Sequence, residues 1–214
     1  MSKNDKFIVI GLAGRARAGK NTVAEILEAI EPSFCQCAYA DALRIEVIEA
    51  FNVSSDLFNN DDLKERKDPA LAVVRCGDIE FIERMTALGH NLIAPRTPRE
   101  IMQLWGTEYR RNQRSDYWID KLSQLIHEKI KCGARKFVVT DVRFEDEAQL
   151  IKKMNGQVWL IQRDIADIKP AGHRSERVQD IASIDKTIAS NRDLFSLTCW
   201  VIGLYGETFD EETF

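Results

Sequence analysis

Phe7-Ile8-Val9-Ile10-Gly11-Leu12 is an unbroken apolar run, and the chain leaves it through Gly14-Arg15-Ala16-Arg17-Ala18-Gly19-Lys20. A short apolar run bounded by glycine reads as a strand buried on both faces. The residues after it fit G-x-x-x-x-G-K. Val23, Ile26, Leu27 and Ile30 then recur at helical spacing until Pro32 stops them. In a strand–loop–helix unit of this kind, successive backbone N–H groups point inward and cradle phosphate oxygens, with the lysine reaching the outer phosphates. The residue after Lys20 is Asn21, where serine or threonine is the rule; Thr22 brings a hydroxyl one position later. The plainer reading is a glycine-rich turn, but the strand before it and the helix after it favour the phosphate loop.

Strand and helix patterns alternate along the rest of the chain. Phe34 to Tyr39 is strand-like, Ala42 to Phe51 helical, and 52–92 loosely patterned apart from a helix over Asp78–Leu88. Thr97-Pro98-Arg99-Glu100 combines an N-cap threonine, a proline at the first helical position and a capping-box glutamate, so a helix should run from there to about Arg111. Another should run from Ser115 to Ile130. Phe137–Asp141 reads as a second buried strand, Glu145–Met154 as a helix, Val158–Gln162 as a strand, Arg163–Ser183 as polar and irregular, Thr187–Ala189 as a strand and Asp193–Tyr205 as an amphipathic helix. This alternation predicts an α/β fold with a parallel sheet covered on both faces. The helical stretch between the second and third strands is too long for a simple crossover and reads as an insertion.

Asp141 closes its strand where a carboxylate could hold a divalent cation, directly or through water. Ligands of open parallel sheets bind beyond the carboxyl ends of the strands, which puts Asp141 and Arg143 beside the glycine loop. The alternatives are a helix N-cap for Asp141, a surface ion pair for Arg143 and a first-turn acid for Glu147. In the insertion, Arg99, Gln103 and Trp118 offer a guanidinium fork for a phosphate and an aromatic face for a base. The alternative is a solvated helix surface with Trp118 in the core, and Arg110, Arg111 and Arg114 read as such a surface.

The chain has 214 residues, 30 basic and 34 acidic, for a net charge of −4. That is a poor match for bulk attraction to nucleic acid or anionic lipid, so neither is an expected partner. An apolar fraction of 44% and a charged fraction of 30% exclude a disordered or fibrous chain. The five cysteines form no zinc spacing; Cys35 and Cys37 read as small buried hydrophobes in a reducing compartment. The first apolar run is too short for a secretory segment, and no later run reaches the ~18 apolar residues of a membrane span. A cytoplasmic protein is expected. Neither the N-K-x-D guanine reader of GTPases nor L-S-G-G-Q is present, which counts against a nucleotide-dependent switch or ATPase module.

Taken in order, Gly14–Thr22, Ala40-Asp41-Ala42-Leu43-Arg44, Arg99–Glu108, Asp116-Tyr117-Trp118, Thr140–Glu147 and His173-Arg174-Ser175-Glu176 resemble the bacteriophage deoxynucleoside monophosphate kinases, within the P-loop nucleotide-kinase group. The resemblance implies a P-loop nucleotide-kinase fold of about five parallel strands. One domain would span 1–214, with a helical acceptor-binding insertion over about 41–132 and a lid over about 163–184. It implies ATP-dependent phosphorylation of deoxynucleoside monophosphates with Mg2+, and small-molecule partners. A homodimer, and the host cytoplasm if the chain is phage-encoded, go with it. Gly14, Arg15, Ala16, Arg17, Ala18, Gly19, Lys20, Asn21 and Thr22 would bind ATP, with Arg174, or Arg177, closing from the lid. Thr22 and Asp141 would hold the metal. Lys20, Asp141, Arg143 and Glu147 would form the catalytic centre, and Asp41, Arg44, Arg99, Gln103, Trp118 and Arg143 would bind the acceptor. The family commonly has aspartate after the lysine, so Asn21 removes a charge and weakens a catalytic role there. Another acceptor, such as dephospho-coenzyme A, is the close alternative.

Overall fold

The computed structural model describes residues 7–60, 62–163, 180–190 and 193–209. The chain divides into two compact units, one built from 1–39 with 122–214 and the other from 40–121.

The first unit is organised by a five-stranded sheet. Its strands are β1 (Ile8–Ala13), β2 (Phe34–Cys37), β3 (Lys136–Val142), β4 (Gln157–Gln162) and β5 (Lys186–Ala189), in spatial order β2-β3-β1-β4-β5. Every pairing is parallel, with Ile10 opposite Val138, Leu12 opposite Trp159 and Gln162 opposite Ala189. Strand residues alternate between two faces. Ile10, Leu12, Val138, Trp159, Ile161 and Ile188 pack with Val23 and Leu27 of α1 (Lys20–Ile30) and with Leu197 and Val201 of the last helix. Gly11 faces the other way, and a Cβ there would stand 3.1 Å from Ile151 of the helix Glu145–Lys153. Helices on both faces explain why β1 is apolar without alternation. Each fully buried side chain contributes roughly 1.5–3 kcal/mol. The chain runs from β1 to β2 and β3 on one side and returns to β4 on the other. β1 is therefore the strand at which the order reverses, and its carboxyl end is where such sheets place ligands.

The second unit is helical. It holds most of α2 (Tyr39–Phe51), α3 (Asp56–Asn59), two 3-10 turns at Pro69–Leu71 and Val73–Arg75, α4 (Ile79–Ala87), α5 (Pro98–Gln103), α6 (Arg111–Gln113) and the start of α7 (Tyr117–Lys131). The capping box at Thr97 is formed: its hydroxyl accepts from Glu100 N at 3.0 Å and the Glu100 carboxylate from Thr97 N at 2.8 Å. The helix it starts is not continuous to Arg111. It passes into a π-helical segment, Leu104–Arg110, before α6 resumes. Among the described residues the last two helices are α8 (Glu145–Lys153) and α9 (Leu194–Phe209). The last buries one side, with Leu197, Val201 and Leu204, and leaves Leu194, Phe195 and Ile202 exposed.

All five cysteines are free; Cys37 and Cys76 are buried, Cys35 half-buried, and Cys132 and Cys199 exposed. Among the described residues no helix is long and apolar enough to cross a membrane. His173, Arg174, Arg177 and most of the segment 163–184 lie outside the described residues.

Candidate active site

The glycine loop leaves the carboxyl end of β1 as expected. Gly14 presses on the end of β4, and a Cβ on it would stand 2.6 Å from the Ile161 carbonyl oxygen. Gly19 has φ +100 and serves as N-cap of α1. Arg17 also sits in the left-handed region, at φ +66, a conformation that costs an ordinary residue roughly 1–2 kcal/mol. No side chain caps α1 and no acid lies in its first turn. The helix itself therefore brings no carboxylate to the positive end of its dipole. Lys20 Nζ folds back on the loop, donating to the carbonyls of Gly14 (2.7 Å) and Arg15 (2.9 Å). Ala18 is buried, Ala16 and Asn21 are exposed, and Thr22 is half-buried in the first turn of α1.

Asp141 lies one residue from the end of β3 and is 8% exposed. Its neighbour Val142 pairs with Ala13, which brings this stretch of β3 alongside the root of the loop. Asp141 Oδ1 accepts from Tyr39 N at 2.8 Å, at the start of α2. The N-cap alternative therefore describes one of its oxygens, on a helix far away in sequence. Arg143 follows β3 directly and is half-buried. Glu147 is 3% exposed. Its Oε2 accepts from Arg143 N (2.8 Å) and Phe144 N (3.2 Å), closing the turn into α8. Tyr39 OH donates to the Glu147 carbonyl at 3.0 Å. Gly14–Thr22, Asp141, Arg143 and Glu147 all belong to the sheet unit.

Asp41, Arg44, Arg99, Gln103 and Trp118 belong to the helical unit. Arg44 pairs with Asp41 one turn earlier at 3.2 Å, and its Nε is buried with no hydrogen-bond partner. Arg99 Nε donates to Glu65 Oε1 at 2.6 Å. Gln103 ends α5 half-buried. Trp118 is 4% exposed, and its indole N–H donates to the Gly106 carbonyl at 3.0 Å.

Of the arginines just before Trp118, Arg114 fits its sequence reading as a solvated side chain and Arg110 does not. Arg114 is exposed, paired with Asp116 and Asp120. Arg110 is not a solvated side chain. Its guanidinium lies 5.1, 4.6 and 5.4 Å from the ring centroids of Trp105, Tyr109 and Tyr117, and its Nε donates to Glu46 Oε2 at 3.0 Å. Glu46 also accepts from Trp105 Nε1 (2.9 Å) and Tyr117 OH (2.5 Å). The π-helical turn makes this arrangement possible. Bonds run from i to i+5 in a π-helix, so Trp105 and Arg110 stack where an α-helix would splay them apart. Burial alone would raise the Glu46 pKa, but the hydrogen bonds from Tyr117, Trp105 and Arg110 outweigh it and hold it below the ordinary carboxylate value. Tyr117 is pushed up to about 12, by burial and then by its bond to Glu46.

Sequence reasoning missed Tyr39, Glu46 and Ser190. Ser190 is the first residue beyond β5 and is 8% exposed; its hydroxyl lies 2.5 Å from the Ala18 carbonyl. The signal for Ser190 was positional, because any residue just past a parallel strand stands at the carboxyl edge of the sheet. Nothing short-range marks Glu46.

Residues 67–199 match the family model of deoxynucleotide monophosphate kinases. No curated protein matches in sequence. Among solved structures, TT1252 from Thermus thermophilus is similar with a TM-score of 0.50 at 14% identity, over 94% of this chain and 98% of that one. A dephospho-CoA kinase from Campylobacter jejuni has a TM-score of 0.49 at 12% identity, over 96% and 98%. At such identity the Thermus likeness speaks to the fold alone. The family match begins well beyond the glycine loop, so loop geometry and family match are independent observations. With that loop at the head of a five-stranded parallel sheet and the family matched over more than half of its length, the chain belongs to the deoxynucleotide monophosphate kinase family, the P-loop kinases that phosphorylate deoxynucleoside monophosphates.

Proposed function

We propose that ATP is the phosphoryl donor, held by Gly14–Thr22, and that the helical unit supplies the arginines for the deoxynucleoside monophosphate. The observation that carries this reading is the loop itself: an uncapped helix start with no acid in its first turn, glycines at both shoulders, and an ammonium folded across it. Such an arrangement is complementary to phosphate through backbone and dipole together. In the reaction a phosphate oxygen of the acceptor attacks the γ-phosphorus, a new P–O bond forms and the bond to the β-bridging oxygen breaks, leaving ADP. The protein's part is positioning and charge stabilisation.

Lys20 turns from the loop carbonyls to the donor phosphates. Arg143, leaving β3 beside the loop, neutralises charge that develops on the transferring group. Glu147 fixes the turn that carries Arg143, so its role is positional. Mg2+ suits the donor set at this edge: the buried carboxylate of Asp141 and the Thr22 hydroxyl, both hard oxygen ligands. When bound, the ion would neutralise negative charge on the donor phosphates. In the helical unit Arg44 and Arg99 are the phosphate ligands, Arg44 because its buried Nε lacks a partner. Asp41 orients Arg44, and Gln103 faces the acceptor. Trp118 acts from within the packed interior by fixing the Gly106 turn. Arg174, or Arg177, from the lid of the 163–184 segment would close on ATP. The same reading gives the chain a place in nucleotide metabolism, in the cytoplasm of its cell or of a phage host, working as a homodimer on small molecules and not on nucleic acid.

The test is a coupled ADP-release assay with ATP across the common deoxynucleoside and ribonucleoside monophosphates and dephospho-coenzyme A. Turnover dependent on one or more deoxynucleoside monophosphates, and abolished by chelating Mg2+, is the expected result. ATP hydrolysis indifferent to every acceptor would make the chain an ATPase module, and turnover with dephospho-coenzyme A alone would move the acceptor assignment.

A further inference from the structure

The phosphate loop is held from outside as well as from within. Ser190 N donates to Gln162 O at 2.7 Å, carrying the β4–β5 ladder one residue past β5. That bond fixes the serine backbone. Its hydroxyl then lies 2.5 Å from the Ala18 carbonyl and 3.1 Å from the Gln162 carbonyl. A hydroxyl has one proton. Gln162 O already receives the Ser190 N–H, so the shorter contact to Ala18 takes the hydroxyl proton. Ala18 is 1% exposed, and a Cβ on Gly19 would stand in ordinary contact with Ser190, 3.5 Å from its Oγ.

The peptide unit is planar and trans, so the carbonyl of one residue and the N–H of the next point in opposite directions. Fixing the Ala18 carbonyl on Ser190 therefore fixes the Gly19 N–H away from β5. Gly19 needs this more than most residues, because glycine populates both signs of φ about equally and the peptide before it can flip at little cost. Here φ is +100, and the Gly19 carbonyl must also receive Val23 N at 3.1 Å for α1 to start.

We propose that Ser190 is a positioning residue for the phosphoryl donor: its hydroxyl locks the Ala18–Gly19 peptide so that the Gly19 N–H is presented to the donor phosphates. This rests on the reading of Gly14–Thr22 as the donor site. Ser190 touches no phosphate itself; it acts through the loop backbone, and its effect falls on phosphate binding and not on the nucleoside.

The test measures binding of ATP, inorganic tripolyphosphate and adenosine to the full chain by titration calorimetry, and Michaelis constants for ATP and the monophosphate. It compares wild type, Ser190→Ala, Ser190→Cys and Ile188→Val. Ile188 is a buried core residue on the same strand, and shortening it lowers stability while leaving the Ser190 hydroxyl in place. Ser190→Ala should weaken ATP and tripolyphosphate by roughly tenfold, the scale of one lost hydrogen bond. It should raise the ATP Michaelis constant in step and leave adenosine binding and the monophosphate constant unchanged. Ser190→Cys, a weaker donor of similar size, should lose about threefold, and Ile188→Val nothing. ATP and tripolyphosphate affinities within twofold of wild type in Ser190→Ala would overturn the inference, as would an equal loss in Ile188→Val. If the alanine variant does not fold, the cysteine variant decides on the same readouts; if neither folds, Ser190 is a folding residue and the inference falls. A wild-type chain that binds neither ATP nor tripolyphosphate would instead remove the donor-site reading itself.

Discussion

If the glycine loop holds ATP and the helical arginines hold the monophosphate, the two units handle anions in opposite ways. The sheet unit uses backbone: two glycines, the uncapped start of α1, and one lysine that rests on loop carbonyls. The helical unit uses side chains, and arginines there are matched against carboxylates and rings. Arg110 is enclosed by Glu46, Trp105, Tyr109 and Tyr117, and Arg99 is paired with Glu65. A backbone cradle needs a few residues in strict sequence spacing. A side-chain network needs partners that only folding brings together: Glu46 is 64 residues from Arg110 and 71 from Tyr117. Damage should therefore differ in kind, costing chemistry in the first unit and stability in the second.

The largest effect should come from Lys20→Ala. Removing one preorganised donor from a transition-state site typically costs ~10²–10³ in turnover. The side chain donates to two carbonyls of its own loop and lies outside the packed core, so thermal melting should move less than turnover. A variant that kept turnover within threefold of wild type would break the comparison, because the loop would then be only a turn.

Glu46→Gln should do the reverse. It leaves Arg110 partly buried without its nearest counter-charge, and removing one partner of such a pair costs about 3–5 kcal/mol when burial is complete. With side-chain exposures of 21% and 16% for Arg110 and Glu46, about 2–3 kcal/mol is the expectation after discounting for solvent. Urea unfolding measures it. The ATP Michaelis constant should stay where it was. The Glu46 pKa is depressed from 4.5, so its contribution is complete above that value and is lost as pH falls through the depressed one. The acid limb of wild-type stability should be steeper than that of Glu46→Gln. If the variant keeps its stability and loses ATP binding, the division of labour drawn above is wrong.

The same contrast decides what could be read from the sequence. β1, the loop and α1 were legible because an apolar run, two glycines and a lysine at fixed spacing admit few other structures. The capping box at Thr97 was legible for the same reason, being four adjacent residues. The course of the helix beyond Gln103 was not. Trp105, Tyr109 and Arg110 look like ordinary helical spacing until Glu46, on α2, gives Trp105 and Arg110 a common partner while Tyr109 turns to Asp78. Trp118 reads equally as an aromatic face for a base and as a core residue, because its carbonyl partner on Gly106 is set by packing. Tyr39 and Ser190 act on the site through a backbone N–H and a short hydroxyl, groups that almost every stretch of sequence contains.

Arg99→Ala should have an intermediate effect and sharpen the contrast within the helical unit. As an acceptor ligand, Arg99 should raise the monophosphate Michaelis constant and leave that for ATP unchanged. A charge-assisted contact is worth about 1.5–3 kcal/mol. Arg99 already has a partner in Glu65 at 2.6 Å, so part of that is forfeited on exchanging one anion for another, and roughly tenfold is expected. Lysine should rescue only in part, because it lacks the guanidinium fork. Lowered stability with unchanged kinetics would assign Arg99 to the same structural role as Arg110.

The smallest effect lies in the sheet unit, away from the loop. Lys136 begins β3 and Glu31 follows α1, so their ion pair stands at the amino ends of the strands, opposite the glycine loop. Lys136 Nζ donates to Glu31 Oε2 at 2.5 Å. The hydrogen bond from Lys136 and then that from Ser33 lower the Glu31 pKa from 4.5 to about 2. Lys136 is raised: burial pulls it down, but the bond to Glu31 more than offsets this. A depressed carboxylate stabilises the fold above its unfolded pKa, and that stabilisation drains away between about 4.5 and about 2 as pH falls. The pair is partly exposed, with side-chain exposures of 25% and 31%, so solvent screening limits Glu31→Gln to about 0.5–1 kcal/mol at neutral pH. The difference from wild type should shrink with added salt and vanish below pH 2. Turnover and both Michaelis constants should be unchanged, because Glu31 and Lys136 stand at the opposite end of the strands from the loop. A loss of ATP affinity in this variant would mean that the cradle depends on the whole sheet and not on its own glycines, Lys20 and Ser190, and the sheet unit would then resemble the helical one in spreading its function over distant side chains.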